Sequence, residues 1–248
     1  MVHQPGLARP VRPPVFEIGL KGYSWGADAL RLAAEADRAA EALGVSVVFD
    51  PQAVDIPAIA AGTRHIHVWA QHMDPFPPGR GVGGVLAEAL RDAGATGTLL
   101  SHSERRMSVE DIAGAIARAH ECGLGTMVFA DSPADAARLA ALGPDIVLAE
   151  QPDLIATGVS AGNVMADFVR DAVAAVKGVD PAILVMSGAG VNGPEDVDRM
   201  MRLGLDGTGS SSGILRAADP VVAMRQMLEA TARAWLDLHP GSLPGSGQ

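Results

Sequence analysis

The chain has 248 residues, 48% of them apolar and only 4% aromatic, with a formal net charge of −10. That length fits one large domain with a sizeable core, and the acidic balance argues against a nucleic-acid groove or an anionic membrane surface as partner. The single cysteine, Cys122, excludes an intrachain disulfide and argues against a cysteine-based metal cluster; no apolar stretch approaches the ~18 residues of a membrane span.

In chain order, residues 1–14 and 239–248 have the composition of flexible tails around one domain over 15–238. The first tail contains Pro and Arg but no apolar h-region, so it does not read as a secretory signal, and a cytoplasmic location is the expectation. Between the tails, short apolar runs alternate with Ala-rich stretches of helical period. Strands are expected over Val15–Leu20, Ser46–Phe49, His65–Ala70, Gly97–Ser101, Thr126–Ala130, Ile146–Ala149, Ile183–Ser187 and Gly207–Ser210. Helices are expected over Asp28–Leu43, Val85–Ala93, Val109–Gly123, Ala134–Leu142, Ala166–Lys177, Glu195–Leu203 and Pro220–Leu236, with a short one over Asp55–Ala61. Strict alternation points to a closed (β/α)₈ barrel. Because the second and eighth strands are short, a six-stranded doubly wound sheet reads similarly.

In either architecture the chemistry gathers at the carboxyl ends of the strands. Lys21 stands at the first such end and is one of only two lysines; the other, Lys177, falls in a helical pattern. A compact ammonium at a strand end can bind phosphate or offset developing negative charge; a surface lysine paired with a loop carboxylate is the plainer alternative. Trp25, in the same loop, reads either as a lid or as packing against the first helix. The long Pro/Gly loop Gln71–Gly84 is unusual in a compact domain and suggests a binding role, with His72 as an interface or structural residue. His65 and His67 alternate with apolar residues in the third strand, and no histidine pair has the helical spacing of a metal site, so no metal is expected.

The fourth strand runs into Ser101-His102-Ser103-Glu104-Arg105-Arg106. A neutral imidazole at a strand end can donate or accept a proton or polarise a carbonyl, with Ser103 and Glu104 as supporting groups. Glu150 breaks the sixth apolar run; a carboxylate partly removed from water has a raised pKa and serves as a base, a helix cap or salt bridge being the alternative. Pro152, Thr157 and Gly158 follow in a loop suited to a lid. Two glycine-rich turns, Ser187-Gly188-Ala189-Gly190 and Gly207 to Gly213 with Ser211 and Ser212, let backbone amides approach an anion.

In order and spacing, from about residue 15 to 236, these motifs resemble the triosephosphate isomerase family, closest to its shorter archaeal-type branch. The resemblance rests on Lys21, Pro51-Gln52, Ala70-Gln71-His72, Gly97-Thr98-Leu99-Leu100 with His102-Ser103-Glu104, Glu150 with Thr157-Gly158, Ser187-Gly188-Ala189-Gly190, and Ser212-Gly213 before Asp219-Pro220. It implies a cofactor-independent aldose–ketose isomerase of a small phosphorylated sugar. Glu150 is then the base, His102 the electrophile and Lys21 the cation. Gly19, Gly158, Ser187, Gly188, Ser211, Ser212 and Gly213 belong to the substrate and phosphate site. A homodimer or homotetramer through residues 71–84 is also implied, with Met73, Pro75, Phe76 and Pro77 supplying apolar contact.

The chain departs from the family at Gly19, where asparagine is usual, at Leu20, at Ser101 (usually Asn or Gly) and at Gln151 (usually Pro). A glycine at position 19 removes an amide donor and leaves space, which makes a tetrulose-phosphate isomerase the alternative. A non-catalytic sugar-phosphate-binding barrel is the alternative of another class, and the presence of Lys21, His102 and Glu150 together argues against it. An aldolase needs a Schiff-base lysine on a strand, and Lys177 does not meet that need.

Overall fold

The computed structural model describes residues 10–151 and 162–241. Among the described residues there are eight strands: β1 (Val15–Gly19), β2 (Ser46–Asp50), β3 (His67–Ala70), β4 (Gly97–Leu100), β5 (Gly125–Ala130), β6 (Ile146–Ala149), β7 (Leu184–Ser187) and β8 (Gly207–Ser210). All neighbours pair in parallel, and β1 pairs with β8 in the register Val15↔Gly207 to Ile18↔Ser210, so the sheet closes on itself. The expected barrel is therefore the observed one, and the open sheet is excluded.

The surrounding helices are α1 (Gly26–Leu43), α2 (Ile56–Gly62), α3 (Ala87–Asp92), α4 (Val109–Glu121), α5 (Pro133–Ala140), α6 (Gly162–Val179), α7 (Pro194–Met201), α8 (Ser212–Leu215) and α9 (Pro220–Leu238). Their starts follow local chemistry. Ser108 Oγ accepts from Asp111 N at 3.0 Å and Ser132 Oγ from Asp135 N at 3.1 Å, while Asp219 caps α9 ahead of Pro220. Helix α1 ends at Gly44, whose φ of 66° lets its N–H turn back to Ala40 O. The buried face of α1 is Ala29, Leu32, Ala33, Ala36, Ala39 and Ala40, small residues that let the helix lie close to the sheet.

Strand alternation divides the core in two. On β1, Phe16, Ile18 and Leu20 point outward into the layer between strands and helices, whereas Val15 points into the barrel. The interior is filled by Val15, Val48, Trp69, Leu99, Met127 and Met186 among others. Trp69 occupies room left by two glycines: a Cβ at Gly97 would overlap its indole, and one at Gly125 would lie 2.9 Å from it. Val11 packs against this inner cluster and Arg12 N donates to Ser46 Oγ at 3.2 Å, so residues 10–14, expected within the tail, lie against the amino-terminal end of the barrel. Filling that end leaves the carboxyl end as the open one.

Several local expectations are corrected. His65 precedes β3 rather than lying in it. Trp25 is 66% exposed at the start of α1, so it neither covers a site nor packs on the helix. Lys177, by contrast, lies on a helix as expected, α6, where it donates to Ile183 O at 2.8 Å and pairs with Asp206 at 2.8 Å, tying the helix to the amino-terminal ends of β7 and β8. In the long loop, Asp74 N bonds Val85 O and Asp74 Oδ2 accepts from Val85 N, and His72 Nε2 lies 3.1 Å from Asp74 Oδ1. Met73 is buried, and Phe76 nests against Gly81 and Gly84, where a Cβ on either would overlap its ring. These two side chains therefore face their own subunit, and the exposed apolar residues of the loop include Val82, Pro77 and Pro78. No helix among the described residues is long and apolar enough to cross a membrane.

Gly97→Ala drives a methyl into the Trp69 ring. It is expected to lower the free energy of unfolding by about 1–3 kcal/mol, as other overpacked cores do, measured as a lower urea midpoint with an unchanged slope.

Candidate active site

The carboxyl ends of the strands surround one cleft of about 1020 Å³. Lys21 enters it from the turn after β1 with φ 46°, a left-handed conformation that costs a side-chain-bearing residue roughly 1–2 kcal/mol. Hydrogen bonds hold it there: Gln52 Nε2 and Gln71 Nε2 both donate to Lys21 O, at 2.5 and 3.0 Å, and Gln71 Nε2 also donates to Asp50 O at 3.0 Å. The ammonium pairs with Glu104 Oε1 at 2.7 Å. Burial works against the charge, but Glu104, Glu150 and Glu17 outweigh it and hold the Lys21 pKa above its ordinary value.

His102 follows β4 after Ser101, which also has positive φ (59°). That backbone suits glycine or asparagine; here serine is held by Arg106 Nη1 donating to its carbonyl at 2.9 Å and Met107 N donating to its Oγ at 3.3 Å. The turn directs Glu104 N to His102 Nδ1 at 3.1 Å. Nδ1 is thus an acceptor, and the ring proton of the neutral imidazole sits on Nε2. Burial first, and then the charge of Lys21, lowers the His102 pKa to about 4, and Phe129 meets the ring edge-on at 4.7 Å. His102 is therefore a neutral N–H donor at physiological pH. Glu104 serves both neighbours, and Ser103 lies in the turn between them.

Glu150 directly follows β6, its N–H donating to Ala130 O at 2.9 Å. Its carboxyl lies against Gly188, whose N–H donates to it; a Cβ there would stand 3.2 Å from Oε1. Burial and the charge of Glu17 raise its pKa to about 7, against the pull of Lys21. A carboxylate poised near neutrality suits a base.

The glycine turns contribute backbone more than side chains. Gly188 and Gly190 from the turn after β7, with Gly209, Ser211 and Ser212 from the end of β8 and the start of α8, line the cleft. Ser211 Oγ donates to Gly19 O at 2.6 Å and Ser210 Oγ to Val191 O at 2.8 Å, so both hydroxyls strap strands together. Ser187 is fully buried and does not line the cleft, and Gly213 sits one layer back, where a Cβ would be 2.7 Å from Ser210 Oγ and Val191 O. Pro152, Thr157 and Gly158 lie outside the described residues.

Among the cleft residues that escaped the reading of the sequence are two strand acids, Glu17 and Asp50. Their signal was an acidic residue on the inward phase of an apolar strand, at Val15-Phe16-Glu17-Ile18-Gly19, and another closing Val47-Val48-Phe49-Asp50. They also correct the expectation at Gly19. The space left by its missing side chain is not open, because a Cβ there would lie 2.5 Å from Glu17 Oε1.

The chain matches the family model described as triosephosphate isomerase over residues 15–230. It is 35% identical over 217 residues to a triosephosphate isomerase of Methanothermus fervidus, covering 87% of this chain and 97% of that one. It is 36% identical over 214 residues to one of Methanocaldococcus jannaschii (86% and 97%), and 42% identical over 179 residues to one of Halobacterium salinarum (72% and 82%).

Because burial keeps His102 neutral and Glu104 N occupies Nδ1, ¹⁵N-detected NMR from pH 8 down to pH 5.5 is expected to show one neutral, Nε2-protonated ring. A titration midpoint near the ordinary histidine value would contradict this geometry.

Proposed function

The chain belongs to the triosephosphate isomerase family, and we propose that it interconverts D-glyceraldehyde 3-phosphate and dihydroxyacetone phosphate, without a cofactor, as a cytoplasmic enzyme. One observation carries the reading. A carboxyl raised to about 7, a neutral imidazole presenting N–H, and an ammonium share one cleft with a backbone cradle.

The chemistry follows from those groups. Ionised Glu150 removes a proton from the carbon beside the carbonyl, while His102 Nε2–H donates to the carbonyl oxygen and stabilises the charge that develops there. Lys21 offsets the negative charge of the enediolate and the phosphate. Protonated Glu150 then returns the proton to the adjacent carbon while His102 passes a proton from one enediolate oxygen to the other, so carbonyl and hydroxyl exchange places, the base is regenerated and no electron leaves the substrate. The phosphate rests on the backbone around Gly188, Ser211 and Ser212, at the start of the short helix after β8, and the family resemblance adds Gly158.

A four-carbon ketose phosphate is the second reading on the amide donor missing at Gly19 alone, because the space beside it is taken by the Glu17 carboxyl. We also propose a homodimer or homotetramer through residues 71–84, with Val82 and Pro77 as exposed apolar contacts.

Specificity constants for the triose and the four-carbon ketose phosphates decide between the readings. The triose is expected to lead, with kcat/KM rising between pH 6 and 8 as Glu150 ionises and falling by about 10²–10⁴-fold in Glu150→Gln. A leading tetrulose phosphate would install the second reading. Absence of Glu150-dependent turnover, together with no wash-in of solvent deuterium, would leave a binding barrel. For assembly, light scattering is expected to show Val82→Asp shifting the protein to monomer.

A further inference from the structure

Glu17 stands below the groups just described, and the mechanism makes no use of it. Its place follows from strand phase and from two glycines. Val15, Glu17 and Gly19 share the inward face of β1, so Glu17 is the layer directly above the apolar plug and Gly19 the layer directly above Glu17. Gly19 places nothing over the carboxyl. On the neighbouring strand Gly209 makes way for it as well, since a Cβ there would overlap Glu17 Oε2. The result is an acidic floor open to the cleft from above.

The carboxyl does not stand alone. The charged and titratable groups facing it are Asp50 from β2, Lys21 from its own strand's turn and Glu150 from β6. Asp50 shares a hydrogen bond with it, and Asp50 Oδ1 is buried without an N–H or hydroxyl partner. Lys21 Nζ is already engaged by Glu104 at 2.7 Å. Two adjacent carboxyls in such surroundings cannot both ionise, and the pair retains a proton. Burial raises both pKa values, that of Glu17 to about 7 against the hydrogen bond from Asp50 and the charge of Lys21, and Glu17 raises that of Asp50 further.

The sign of the charge then decides the role. An ionised floor beneath an enediolate would repel the intermediate, whereas a protonated one can donate to it. We propose that Glu17, protonated while it accepts from the Asp50 carboxyl, is a further substrate-contacting residue whose own O–H donates a hydrogen bond to an oxygen of the bound sugar phosphate from below. This rests on the isomerase reading above and deepens it. It also accounts for glycine at position 19, since any side chain there would close the floor off from the ligand.

The test compares wild type, Glu17→Gln, Glu17→Ala and Glu17→Ala/Gly19→Asn for kcat/KM across pH, using the better of the triose and tetrulose phosphates. Glutamine keeps a donor that does not titrate. It is expected to stay within about threefold of wild type at neutral pH and to lack a fall at alkaline pH that wild type shows. Alanine removes the donor and is expected to cost on the order of 10²-fold, the typical loss for one preorganised donor. The double variant, whose asparagine amide descends from the same strand into the vacated space, is expected to recover part of it. Glu17→Ala at wild-type activity would overturn the proposal. So would a tenfold or larger loss in Glu17→Gln, because the pair would then act as a carboxylate. If Glu17→Ala does not fold, the pH profile of Glu17→Gln decides, and an alkaline limb identical to wild type overturns the proposal. Wild type inert on every sugar phosphate would overturn the isomerase reading and this inference with it; wild-type turnover indifferent to Glu17 would overturn this inference alone.

Discussion

The mouth of this barrel is governed by one ammonium among an excess of carboxyls. Lys21 pairs with Glu104 at 2.7 Å and also feels Glu150 and Glu17, with Asp50 beyond. Unit charges about 4 Å apart at a protein surface interact by roughly 4 kcal/mol, and desolvation adds to the repulsion inside. That ammonium, helped by Arg106 at Glu150, cannot keep four such groups ionised. The exposed one, Glu104, keeps its charge and falls below its ordinary pKa, while the enclosed Glu17, Asp50 and Glu150 are pushed upward. The same ammonium helps to hold His102 neutral. Base, electrophile and floor are therefore set by a shared charge balance, not by each residue's identity.

Rigid backbone makes that balance possible. Lys21 and Ser101 both occupy left-handed conformations that a side chain disfavours, and both are pinned by hydrogen bonds from elsewhere: Gln52 and Gln71 on one, Arg106 and Met107 on the other. Strain of this kind persists only where the surroundings over-determine it. Its effect is directional, bringing the ammonium to Glu104 and the Glu104 amide to His102 Nδ1. The glycines work in the opposite sense. Gly188 admits the Glu150 carboxyl, and Gly19 and Gly209 admit that of Glu17.

The sequence by itself determined the alternation of strand and helix, the phase of each strand, and the positions of Lys21, His102 and Glu150 at strand ends. These are local properties: period, turn chemistry and the break from apolar to polar residues are written in consecutive positions. The motifs then sufficed for the family. Closure of the sheet was not local, because it depends on β1 meeting β8 almost two hundred residues later. Nor was the fate of the serines: Ser187 went into the core, while Ser210 and Ser211 became straps.

Glu17 shows the limit most clearly. As a residue it was an ordinary acid in an apolar strand; its partner Asp50 is thirty-three positions away and the glycine that accommodates it, Gly209, far beyond that. Gly19, read alone, promised open space, and the tertiary structure filled that space with its own neighbour's carboxyl. Strand phase gave the direction of the side chain, but only barrel closure decided what it would meet there, because burial and charge coupling depend on distances that no single segment contains.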